Sequence, residues 1–104
     1  MEAIVVLISC PNEAIAGKLA RTLVDERLAA CVNILPGMRS VYRWRGAIES
    51  ESELLCLVKS TRAQFEAVKE RVLGLHPYEV PEVVAIPIVL GHSAYLDWLL
   101  ASVG

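Results

Sequence analysis

Two histidines and three cysteines are the nitrogen and thiol ligands this 104-residue chain offers to a soft or borderline metal. His76 is the sharpest of them, because a neutral imidazole suits copper or zinc and Pro77 restricts its backbone. Its structural alternative is a protonated side chain at a helix C-terminus, favoured by the dipole. Cys10 immediately precedes a predicted helix, where a thiol loses its proton more readily and becomes a soft ligand; core filler is the alternative. The structural alternatives are the favoured readings of both, and His76 and Cys10 are the residues a copper or other divalent-cation site would use. Two ligands per chain are too few for tight binding, so a third must come from a neighbour or from water. Cys31 and Cys56 lie in apolar stretches and read as small hydrophobes. His92 reads as a surface or capping residue.

Charge clusters next on one predicted hairpin. Arg39, Arg43 and Arg45 occupy one arm, and Glu49, Glu51 and Glu53 the other. Cross-strand ion pairing is the expectation, with an anion site as the functional alternative. Trp44 between two arginines is expected to stack on them or to pack across a subunit boundary. No Ser-His-Asp order, Walker loop, H-E-x-x-H or G-x-S-x-G occurs. One enzymatic alternative is a small enzyme acting on an anionic or acyl-phosphate substrate at a subunit interface, with Arg39 and Asn33 handling the phosphate.

The elements that must position these residues follow from apolar periodicity. Residues 3–8 are apolar throughout and read as a strand covered on both faces. Asn12 opens an amphipathic helix through Ile15, Leu19 and Leu23, ending near Arg27 or Leu28. A second strand runs from Ala30 to Leu35, breaks at Pro36-Gly37 and resumes to Trp44. Arg45-Gly46 is the turn, and the return strand is polar at first, then wholly apolar over 54–58. Thr61 is expected to cap a second helix carrying Phe65, Val68, Val72 and Leu75, which ends at His76-Pro77. A loop over 78–82 leads to a fourth strand, 83–90, whose Pro87 requires an edge or a bulge. Ser93 caps a short last helix.

Strand, helix, strand, strand, helix, strand, helix is an α+β order. It predicts a ferredoxin-like βαββαβ sandwich with an extended β-hairpin and a short C-terminal helix, in one domain spanning 1–104. Apolar residues make up 55% of the chain, which excludes disorder, and aromatics only 6%, so the core is aliphatic. Mean hydropathy is high at +0.48. Three strands carry consecutive apolar positions, yet two long helices cover only one sheet face. The bare face is expected to meet other subunits. No apolar run reaches the ~20 residues of a membrane span, and an odd cysteine count fits reduced thiols, so a cytoplasmic location without membrane contact is expected. A net charge of −2 and an apolar third strand without aromatics argue against nucleic acid.

Glu26-Arg-Leu-Ala-Ala-Cys-Val-Asn33, Pro36-Gly37 and Tyr42-Arg-Trp-Arg-Gly46 resemble the CutA family of divalent-cation tolerance proteins. Leu57-Val-Lys-Ser60, His76-Pro-Tyr78, Pro81-Glu82 and Tyr95-Leu-Asp-Trp-Leu99 extend the resemblance in order along nearly the whole chain. The resemblance implies a tight homotrimer similar to the PII signalling proteins, with copper binding and metal tolerance but no settled reaction. It implies a ligand cleft near Lys59, Tyr78 and Glu82, to which Arg39 is added as a candidate, and an interface through Tyr42, Trp44 and Trp98. Family copper ligands fall at a first-strand thiol and at paired histidines before Pro-Tyr. Here Ile8 and Leu75 stand at two of those places.

Overall fold

The computed structural model describes residues 2–104. Strand β1 (Ala3–Cys10) leads into helix α1 (Glu13–Asp25), which starts because the Asn12 side chain accepts the Ile15 amide at 2.9 Å. The helix stops two residues before its expected end. Arg27 turns left-handed, with φ of 60°, and the Leu28 amide reaches back to the Leu23 carbonyl at 2.9 Å. Arg27 holds that costly conformation while gripping the C-terminus, donating to the carbonyls of Ala101 and Gly104.

Strands β2 (Cys31–Trp44) and β3 (Ala47–Thr61) form the long hairpin. Arg45 and Gly46 both have positive φ, 51° and 81°, which is the two-residue turn whose twist matches antiparallel strands. At Pro36-Gly37 the strand does not end. The register shifts between Leu35 and Met38, a bulge that Gly37 accommodates at φ 80°.

A 3₁₀ turn (Arg62–Gln64) separates β3 from helix α2 (Phe65–Leu75). Thr61 therefore does not cap α2. It is the last residue of β3, opposite Ala3, and its buried Oγ1 finds no partner among the described residues. Strand β4 (Val83–Pro87) ends at the proline rather than at Leu90; the missing Pro87 amide faces the open edge, and the Ile88 amide still reaches the Ala3 carbonyl at 3.0 Å before Val89 and Leu90 turn out to solvent. Helix α3 (Ser93–Ser102) closes the chain without a side-chain cap.

The sheet order is β2-β3-β1-β4, antiparallel throughout, with β4 on an edge as Pro87 demands. Ile4, Val6, Ile8, Cys56 and Val58 face Leu19, Leu23, Val68 and Val72 of the two long helices in the main core. The opposite sheet face carries Val5, Leu7, Leu55, Leu57, Val84 and Ile86 by strand alternation. Helix α3 covers only one end of it, through Leu99 against Ala3 and Ala30. Val84 and Ile86 remain 49% and 53% exposed, as the surplus of apolar strand residues requires. The hairpin stretches the molecule to 44 Å along its longest axis.

Candidate functional site

Where the polar part of the hairpin meets the loop after α2, the surface opens into a cavity of about 860 Å³. Proline sets this geometry. His76 has an extended backbone because Pro77 follows it, so the chain leaves α2 and crosses the end of the sheet. His76 is buried, and its ring fastens the loop on both sides. Nε2 donates to the Ser9 carbonyl at 2.7 Å, and Nδ1 accepts the Tyr78 amide at 3.2 Å. The two bonds define a neutral ring with its proton on Nε2.

Tyr78 then reaches across the cavity. Its hydroxyl donates to Glu53 Oε2 at 2.6 Å, and burial together with this carboxylate raises the phenol above its ordinary range. Ser9 Oγ donates to Glu82 at 3.0 Å. Glu53 is only 5% exposed, although it lies on the polar arm of the hairpin. Tyr42, Trp44 and Glu51 complete the wall. The cavity thus gathers Tyr78 and Glu82 of the expected cleft with Tyr42 and Trp44 of the expected interface.

Other candidates lie elsewhere. Lys59 sits on the open sheet face, bonded to Asn33 Oδ1 and 3.8 Å from Cys31 Sγ. Arg39 donates to Ser50 Oγ at 2.9 Å, and Trp98 packs at a tilt on Tyr95 with ring centroids 5.5 Å apart. The expected ion pairs between hairpin arms do not form. Beyond the bulge, Arg39 stands opposite Ser52 and Arg43 opposite Ile48, while Glu49, Glu51 and Glu53 stand opposite Tyr42, Ser40 and Met38. Arginines and glutamates therefore occupy opposite faces of the ribbon. Arg45 instead pairs with Glu79 at 2.6 Å. Asn33 and Arg39 are roughly 15–20 Å apart along the strand at ~3.3 Å per residue, and each is bonded elsewhere, so they do not converge on one phosphate.

Cys10 is the last residue of β1 and points into the core, its Sγ 3.9 Å from that of Cys56. Contact with that thiol and burial push the Cys10 thiol up, against the direction a helix N-terminus would impose. Among the described residues, no three side chains of His, Cys, Asp or Glu come close enough to hold a metal ion. Sequence reasoning missed Glu53 and Ser9 as site residues. Glu53 carried a signal, being the last polar position before the apolar run 54–58.

The family model of the CutA1 divalent ion tolerance protein matches residues 4–102. The divalent-cation tolerance protein CutA of Thermus thermophilus is 56% identical over 100 residues, covering 96% of this chain and 97% of its own. The chloroplastic CutA protein of Arabidopsis thaliana is 47% identical over 97 residues; they make up 93% of this chain but 53% of that protein, so the chain spans about half its length. The solved Cut A1 structure from Thermus thermophilus superposes with a TM-score of 0.96 at 55% identity, over 98% of this chain and 99% of that one. Matching motifs, fold and near-complete coverage agree: the chain belongs to the CutA1 family of divalent ion tolerance proteins.

Proposed function

We propose that the chain works as a homotrimer that binds a ligand in the cavity between hairpin and loop, in the manner of PII proteins, and serves divalent-cation tolerance without turning over a substrate. The observation that carries this reading is the sheet face that α3 leaves open. Val84 and Ile86, with Val41 and Ile48 on the hairpin, expose apolar surface that water disfavours by ~25 cal/mol per Å². A head-to-tail contact repeated three times closes a ring and covers it. Tyr42 and Trp44 on the hairpin, both about 40% exposed, are aromatic anchors of the type that centre such contacts, and Trp98 on α3, 47% exposed, offers a third at the other end of the sheet.

Copper is the cation this family most readily suggests, but Cys10 and His76 do not fit it as they stand. One is a protonated core thiol, and the other has both nitrogens engaged. Tolerance to divalent cations therefore rests on the family and on the assembled cleft rather than on a centre preformed in one chain. We place residues 1–104 in one domain and in the cytoplasm, where the three unpaired thiols stay reduced. Among the described residues no helix is long and apolar enough to cross a membrane. Sedimentation equilibrium from low to high micromolar concentration tests the assembly. Three times the chain mass of 11.4 kDa, stable to salt, is expected. A folded monomer would overturn it.

A further inference from the structure

Two of the three thiols meet inside the main core. Cys10 ends β1, Cys56 lies in β3, and their sulfurs are 3.9 Å apart with both side chains buried. The strand register brings them there. Ile8 stands opposite Cys56 and Cys10 opposite Leu54, so the two cysteines are diagonal neighbours on the sheet face that the long helices cover.

A bond between them forms only if the backbone gives way. Diagonal neighbours have Cα atoms ~7–8 Å apart, whereas a disulfide spans about 4.4–6.8 Å. A position in the middle of a strand would resist that approach. Cys10 is the last residue of its strand, and Pro11 after it lies outside the ladder. Closing the bond therefore draws the end of β1 toward β3. Strand β4, on the other side, pairs with β1 only as far as Val83 opposite Ile8. Beyond that point the loop after α2 holds Ser9 by side chains, through His76 on its carbonyl at 2.7 Å and Glu82 on its hydroxyl at 3.0 Å. Drawing Cys10 toward β3 pulls Ser9 away from both.

We propose that Cys10 and Cys56 form a reversible disulfide in response to hydrogen peroxide, and that its closure releases the loop over 77–82 from Ser9. One sulfur, as thiolate, attacks a peroxide oxygen; the O–O bond breaks, a sulfenic acid forms, and the other oxygen leaves as water with the thiol proton. The second sulfur then attacks the sulfenic sulfur, the S–S bond forms, and the hydroxyl departs with the second thiol proton as another water. Two electrons pass from the sulfurs to the peroxide. Contact between the thiols raises Cys10, as burial does, and lowers Cys56, so Cys56 attacks first. Burial sets the selectivity, because a water-sized oxidant enters when the strand end opens and glutathione disulfide does not. The strain of closure makes the bond easy to reduce, which suits a switch rather than a permanent brace. Both thiols are reduced at rest, and every group named belongs to one chain, so the switch needs neither the trimer nor a ligand.

The full chain is treated with hydrogen peroxide, unfolded in the presence of an alkylating reagent, and analysed by mass spectrometry intact and after digestion. The expected product has lost two hydrogens, joins its peptides through Cys10 and Cys56, alkylates at Cys31 alone and reverts with dithiothreitol. Glutathione disulfide should leave Cys10 and Cys56 free. In the oxidised chain the Tyr78 amide should exchange about tenfold faster than in the reduced one, and reduction should restore it. In Cys56→Ala, peroxide should leave that exchange as it was. Cys10 and Cys56 that both still alkylate after peroxide, or oxidation that runs to sulfinic acid without a disulfide, would overturn the proposal from the wild-type chain alone. A disulfide that leaves Tyr78 exchange unchanged would overturn the release of the loop.

Discussion

Replacing His76 by alanine removes two hydrogen bonds at once from a buried position and the tilted packing of its ring on Tyr78, 4.6 Å between centroids. Each bond is worth about 1 kcal/mol net, and the Ser9 carbonyl left behind without a donor costs about 1–3 kcal/mol more. Unfolding in urea at fixed protein concentration should therefore register a loss of roughly 3–5 kcal/mol. Two further substitutions divide that loss. Asparagine places an acceptor near Nδ1 and keeps the Tyr78 amide satisfied. Glutamine places a donor near Nε2 and keeps the Ser9 carbonyl satisfied. Each should recover part of the stability that alanine loses. Amide exchange at Tyr78 should accelerate in the alanine and glutamine variants and stay slow with asparagine. The same proteins decide whether His76 is a metal ligand. If stability is untouched in His76→Ala while copper affinity collapses, the ring faces a metal site and the hydrogen-bond argument fails.

The phenols should titrate late. Burial and the Glu53 carboxylate both raise Tyr78, and burial also raises Tyr42, so native phenolate absorbance should lag behind that of the unfolded chain. A raised phenol stabilises the fold below its unfolded value, and that contribution disappears as pH climbs through the folded one. Glu53→Gln should bring the Tyr78 step earlier; an unchanged titration curve would separate Tyr78 from Glu53. At the acid end, Arg71 grips Glu26 through two nitrogens and holds its carboxyl below the ordinary 4.5. Its contribution is present above that value and is lost as pH falls through the depressed one. The stability gap between wild type and Arg71→Ala should thus be small at neutral pH and close in acid, and a gap that widens in acid contradicts the pairing.

Apolar periodicity alone places all four strands and three helices in order, since Ile15-Leu19-Leu23 and Val68-Val72 fix which helix faces are buried. Element ends were less legible. Pro87 is read correctly as an edge residue, but how far β4 runs depends on which amides find partners, and Val89 and Leu90 find water instead. Thr61 has the right residue type for a cap and the wrong neighbour, because Ala3 holds it in the sheet. At the site, Tyr78 and Glu82 were legible through their motifs. The pairing of Tyr78 with Glu53 was not, because the two are separated by 25 positions and only the turn after His76 brings them together.

The two-residue turn at Arg45-Gly46 explains why the hairpin charges do not pair and why the cavity is acidic. It sets Trp44 against Ala47, so beyond the bulge every odd-numbered residue of one arm faces an even-numbered residue of the other. Arg39 and Arg43 therefore stand opposite Ser52 and Ile48, and Glu49 stands opposite Tyr42. The extra residue at Pro36-Gly37 reconciles this register with that of 31–35, where Leu35 faces Leu55. Glu51 and Glu53 thereby line the cavity without a cation from the opposite arm. Deleting Gly37 should remove the bulge and leave the distal register in place, because the turn fixes it: nuclear Overhauser contacts between Arg39 and Ser52 should persist, and new contacts between Arg39 and Glu51 would refute this account.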